Sequence, residues 1–153
     1  MYNTSKVVFS PRVRKSPYFN STIKYGATAF SVYNHMYMPV TYDGTLEDYK
    51  KLLDGVQLWD VGVERQVQIK GPDAKSLAQF LTPRNIKNCS IGQAMYTPLT
   101  DFKGNLINDP VMLRVDEDCY WFSVSDGDLL LWAQAIAAGY KFEVDVDEPD
   151  VSP

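Results

Sequence analysis

Hydrophobic positions recur at helical spacing in three stretches of this chain. Over Thr45 to Asp54 they fall at Leu46, Tyr49, Leu52 and Leu53, one stripe of a 3.6-residue helix. Thr45 stands where a hydroxyl can cap the first amides, Asp48 sits at the third position, and Gly55 supplies the stop. A second helix is predicted after Gly71-Pro72-Asp73, with proline in its first turn. Leu77, Ala78, Phe80 and Leu81 form its buried face and Pro83 ends it. The third runs from a Ser125–Asp128 capping box to Ala138, closed by Gly139. Between the helices the period changes to two. Val67 and Ile69 alternate within a strand over Gln66 to Lys70, and Val56 to Val61 reads as a strand before it. A meander follows, with strands over Ala94 to Leu99, over Leu106 to Val115 with a break at Pro110, and over Cys119 to Val124. Turns at Asp101 to Gly104 and Asp116 to Asp118 separate them, and a last strand covers Tyr140 to Val146. From Tyr25 to Tyr42 the chain is rich in aromatics and methionine, but Pro39 interrupts it, which predicts a short strand and then an irregular loop. Residues 1 to 20, with Pro11 and Pro17, read as an extended arm. Strand runs mixed with separated helices predict an α+β fold, a mixed or antiparallel sheet with packed helices, rather than a parallel wound sheet.

Composition narrows the partners. The chain has 153 residues, 45% of them hydrophobic and 22% charged, enough to bury a core without disulfide staples. A net charge of -4 and a pI near 4.9 leave no basic field for phosphates, so nucleic acid is not an expected partner. Arg12 to Lys15, the most basic stretch, reads as a solvated arm. Cys89 and Cys119 are isolated and His35 is the single histidine, too few ligands for a structural zinc site, so no metal is expected. Unpaired thiols suit a reducing cytoplasm, with one disulfide as the alternative. No membrane partner is expected either: the longest apolar run, Leu129 to Ala138, cannot cross a bilayer, and the start of the chain lacks a signal core. Nothing in the sequence sets the oligomeric state.

Three ordered motifs carry a resemblance. LWDVGVERQVQIKGPDA (Leu58 to Ala74) is similar to the stretch before the first long helix in the aminomethyltransferase (glycine-cleavage T-protein) family. YTPLTDFKGNLINDPVMLRVDEDCYWFSVS (Tyr96 to Ser125) resembles that family's tyrosine strand, glycine turn and following strands. YNHMYMP (Tyr33 to Pro39) resembles its aromatic-Met-Pro loop. The resemblance covers Tyr25 to Tyr140. Three departures mark it: Gly62-Val63-Glu64-Arg65 replaces the family's SHMG, Asn108-Asp109 replaces two adjacent aspartates, and Ser125 replaces an asparagine. With these departures the chain most resembles the dimethylsulfoniopropionate demethylase branch.

The resemblance implies a small-molecule enzyme using tetrahydrofolate as methyl acceptor and dimethylsulfoniopropionate as donor, giving methylthiopropionate. An aminomethyltransferase or N-methyl amine demethylase is the near alternative; a non-catalytic folate-binding protein is the alternative of another class. It also implies that residues 1 to 24 form an arm and 25 to 153 the opening part of a folate-binding domain. The acidic Asp145 to Pro153 end is then either a disordered tail or a point inside a longer protein. Asp109 is the catalytic candidate: its carboxylate would attract a sulfonium, orient the folate amine and accept its proton. Capping a turn beside Pro110 is the structural alternative. Tyr96, Ser125 and Glu64 are the candidate folate contacts, against core packing, helix capping and an ordinary surface turn. Tyr33 could bind the sulfonium through its ring face. His35 is left out of the chemistry, and Arg65 reads as one half of a surface salt bridge.

Overall fold

The computed structural model describes residues 12–149, which form two compact units divided between Val63 and Glu64. In the first, β1 (Arg14–Lys15), β2 (Ala29–Tyr33) and β3 (Met36–Thr41) form a sheet in the order β1-β3-β2, with β1 parallel to β3. The loop predicted after β2 is instead a tight hairpin. Tyr33 pairs with Met36 across Asn34 and His35, whose φ values are 49° and 62°. Two positive φ angles make a turn whose twist matches the strands, and asparagine tolerates that backbone well. Pro39 does not end β3, because the pairing of β1 with β3 ends at Tyr37 and a bulge at Ala29/Phe30 interrupts the β2 ladder beside it. Nor is the segment before β2 extended throughout: α1 (Phe19–Lys24) places Phe19 against Phe30 and Tyr37, at ring separations of 5.1 and 5.9 Å.

Helix α2 spans Thr45–Asp54, as its periodicity requires, but Gly44 rather than Thr45 occupies the N-cap. The start of α2 is fixed by Asp48. Its carboxylate accepts the Thr41 hydroxyl at 2.5 Å and the amides of Tyr42 and Asp43 at 2.9 and 3.2 Å. Hydrogen bonding from Thr41, then from Tyr42, holds the Asp48 carboxyl below its ordinary range. No strand forms over Val56 to Val61. Side chains hold that stretch in place of a ladder: Gln57 donates to the Asp48 carbonyl, and Asp60 accepts the Ser16 hydroxyl and the Gly62 amide.

The second unit is a five-stranded antiparallel sheet in the order β10-β4-β9-β8-β5: Asp145–Asp147, Gln66–Lys70, Cys119–Ser123, Val111–Asp116 and Ala94–Tyr96. Helix α3 (Ala74–Phe80) packs on β4 and β9, and α4 (Leu129–Tyr140) on β10. Leu129, Ala133, Ile136 and Ala137 form the buried stripe of α4 and meet Val67, Ile69, Leu77, Met112, Tyr120 and Phe122 in one core. Cys89 and Cys119 are buried and free.

Several boundaries differ from the sequence pattern. Helix α3 begins after Pro72 rather than around it, and Phe80 lies 43% exposed against Tyr140 and Phe142 instead of in the core. Helix α4 passes through Gly139 and Tyr140 and ends at Lys141, whose φ is 60°. The final strand is therefore only β10, which pairs with β4; residues 150–153 of the predicted tail and 1–11 of the predicted arm lie outside the described residues.

The two long meander strands are each cut once. Thr97-Pro98 separates β5 from β6 (Leu99–Thr100), and Asp109-Pro110 separates β7 (Leu106–Asn108) from β8. The far halves, β6 and β7, pair as a separate ribbon around the Asp101–Gly104 turn. Asp101 stabilises that turn by accepting from the Lys103 and Asn105 amides and the Asn105 side chain, each at 2.8 Å.

Candidate functional site

Asp109 sits at the cut. Successive residues along an extended chain point to opposite faces, so Asn108 is buried at 2% exposure while Asp109 is half-buried. The Ser125 hydroxyl donates to one oxygen of Asp109 at 2.6 Å, and the Tyr96 hydroxyl donates to the other at 3.3 Å. The donors come from the two strands that flank β8: the end of β5, and the residues just after β9. The ladder Val111↔Ser123 and Tyr96↔Val111 brings those ends together. Partial burial raises the Tyr96 phenol pKa above its ordinary 10.0, and the Asp109 charge adds to the rise. Tyr96 therefore stays a donor throughout the neutral range, and its ring is 52% exposed.

Asp109 is thus not a turn cap. Ser125 does not cap α4 either: Asp128 occupies the N-cap, with no side-chain capping bond, and the Ser125 hydroxyl is turned to Asp109. Asn108, which the sequence marked only as a departure, holds the group from beneath. Its Nδ2 donates to the Ser125 carbonyl at 3.0 Å and its Oδ1 accepts from the Ser125 amide at 3.2 Å. The signal that could have found it is a buried-facing amide at the end of a strand cut by proline, since only an amide both donates and accepts there.

The other candidates belong to other parts of the chain. Glu64 is exposed at the start of the second unit, and no hydrogen bond ties it to Asp109, Tyr96 or Ser125. Tyr33 is half-buried at the end of β2 in the first unit. Arg65 pairs with Glu148, and neither side chain is more than a quarter exposed, so this is not an open surface bridge. Among the described residues no cluster could hold a metal ion, and no helix is long and apolar enough to cross a membrane.

The second unit is thus α+β, built on an antiparallel sheet, with a carboxylate presented at a strand break. The chain belongs to the GCVT N-terminal domain family, whose model matches residues 18–151. Within that family it is 42% identical over 144 residues to dimethylsulfoniopropionate demethylase DmdA of Ruegeria pomeroyi, covering 94% of this chain and 40% of that protein. It is 30% identical over 106 residues to a probable aminomethyltransferase of Halobacterium salinarum, covering 69% of this chain and 29% of that one. Its fold resembles the glycine cleavage system aminomethyltransferase T of Bartonella henselae, with a TM-score of 0.68 at 19% identity, over 90% of this chain and 38% of that one. The chain therefore spans about two fifths or less of the length of these relatives.

Proposed function

We propose that this chain supplies the reacting-centre carboxylate of a cytoplasmic, tetrahydrofolate-dependent demethylase that acts on dimethylsulfoniopropionate. The observation that carries the reading is the Tyr96–Asp109–Ser125 group, a half-buried carboxylate held by two hydroxyls, in a chain 42% identical to the demethylase. Tetrahydrofolate would supply a secondary amine, N5, as methyl acceptor. The residues present suit it: Asp109 only accepts, matching an N–H or a cation, and the exposed Tyr96 ring offers a flat apolar face tethered beside that carboxylate.

In this reading the negative charge of Asp109 draws the sulfonium to the site and orients it, and its free lone pairs take the proton that the amine loses. The methyl carbon would bond to the amine nitrogen as the C–S bond breaks with its electron pair left on sulfur, giving methylthiopropionate with a neutral thioether and an unchanged carboxylate. Sulfonium is already a good leaving group, so the protein need only position, attract and accept a proton. Ser125 and Tyr96 keep the carboxylate aimed. Glu64, exposed at the start of this unit, would add a polar contact to the pterin.

The test uses the complete gene product containing this sequence, measuring methyl-tetrahydrofolate and methylthiopropionate with the sulfonium or with sarcosine as donor. Turnover of the sulfonium alone is the expected result. Turnover of sarcosine alone supports the N-methyl amine demethylase alternative, and folate binding without either product makes it a non-catalytic binder.

A further inference from the structure

Ser125 is gripped at three points: its amide and carbonyl by the Asn108 side chain, and its hydroxyl by Asp109. The Asp109 amide also lies 3.5 Å from that hydroxyl oxygen, at the edge of hydrogen-bonding distance. Asn108 is the last residue of β7, and no ladder joins β7 to β9. Its amide therefore does across the strand break what backbone pairing would otherwise do. The backbone is shaped to admit it: Gly127 has a φ of 154°, and a Cβ there would lie 3.1 Å from Asn108 Nδ2.

We infer that Asn108 is a positioning residue, which aims the Ser125 hydroxyl at Asp109 by holding the Ser125 backbone on both sides. The inference rests on the proposed function for its catalytic consequence, and on the geometry alone for its structural part. At 2% exposure the side chain is almost wholly buried, so losing either bond would leave a polar end of its own amide without that partner. An aspartate would keep the acceptor for the Ser125 amide but set a carboxylate oxygen against the Ser125 carbonyl. An aliphatic residue would leave both backbone groups without this partner. Serine at 125 is short, with a single rotatable bond before its oxygen, so the direction of its hydroxyl follows its backbone closely.

A double-mutant cycle tests this in the complete gene product. Asn108→Ala is expected to lower kcat/KM for the sulfonium about 10-fold when Ser125 is present. In the Ser125→Ala background it should cost less than about twofold, because no hydroxyl remains to be aimed. The KM for tetrahydrofolate should stay within about twofold in Asn108→Ala. A residue that merely supports the fold gives the same factor in both backgrounds, and that result overturns the inference. Should Asn108→Ala fail to fold, Asn108→Asp keeps the acceptor for the Ser125 amide but loses the donor to its carbonyl, and is expected to show the same coupling. A wild-type protein that turns over no sulfonium overturns the functional reading instead. The positioning role is then decided by the crystal structure of the Asn108 variant: Ser125 Oγ drawn beyond 3.5 Å from Asp109 supports it, and the wild-type contact retained refutes it.

Discussion

Replacing Asp109 by asparagine removes one charge and almost nothing else. Asparagine has the same shape; its Oδ1 can still accept one hydroxyl, and its Nδ2 can donate to the oxygen of the other, so the contacts at 2.6 and 3.3 Å have counterparts. The size of the loss follows from electrostatics. A unit charge about 5 Å from a sulfonium interacts by roughly 3 kcal/mol at the effective dielectric of about 20 that suits a partly buried site. Because Asp109 is only half-buried, part of that is screened, and about 2–3 kcal/mol is a fair expectation. At about 1.4 kcal/mol per decade this is close to 10²-fold in kcat/KM for the sulfonium. How the loss divides is informative. Attraction of the cation alone raises KM with kcat kept, whereas proton acceptance lowers kcat as well. The assay is initial-rate formation of methylthiopropionate by the complete gene product, with melting temperatures of both proteins measured alongside. A variant within threefold of wild type in kcat/KM at an unchanged melting temperature refutes the catalytic assignment.

The other expectations concern single groups. Since the Asp48 carboxyl is held below its ordinary value, its stabilising effect is complete above about pH 4 and is lost as pH falls through the lower folded value. Acidification from pH 5 to 3 should therefore lower the melting temperature of the wild type more than that of Asp48→Asn, and equal losses exclude the role. The Tyr96 phenol, raised by partial burial and by Asp109, should ionise above pH 10, read as the difference in tyrosinate absorbance between wild type and Tyr96→Phe; a midpoint at or below 10 contradicts the contact. Gly71→Ala forces a side chain into a φ of 138°, with its Cβ 2.7 Å from the Glu143 carbonyl oxygen, and should cost on the order of 2–4 kcal/mol in denaturant unfolding. A cost under about 0.5 kcal/mol would show that the β10 side of the sheet yields easily.

Periodicity located what repeats and missed what depends on a partner. The limits of α2, of β4 and of the Asp101 turn were legible because apolar spacing or a side-chain lock acts over a few residues. Val56 to Val61 has the composition of a strand, but no neighbouring strand pairs with it, and composition does not record partners. The Asn34–His35 turn hid because neither residue is glycine, while the backbone there still takes two positive φ angles. In the site, Tyr96, Asp109 and Ser125 were named together through the family likeness, and their shared hydrogen bonds followed from the ladder. Ser125 was misread locally, since Ser-x-x-Asp before an apolar run has the form of a capping box, yet a carboxylate 16 residues upstream takes its hydroxyl. Asn108 was passed over because a residue that works by touching backbone leaves no charge pattern behind.

The strand break also bears on how the unit comes together in time. The contacts that build the carboxylate group span 13, 16 and 17 residues, whereas closure of the sheet by β10 joins Asp145 to Lys70. Loop-closure entropy grows with chain separation, so close-range pairings cost the least and form readily early in folding. The segment from Tyr96 to Ser125 can therefore assemble its hydroxyl–carboxylate arrangement while the far edge of the sheet is still open. A lesion in β10 would then slow completion of the core and leave the chemistry-bearing segment locally correct, separating folding yield from the competence of the molecules that do fold.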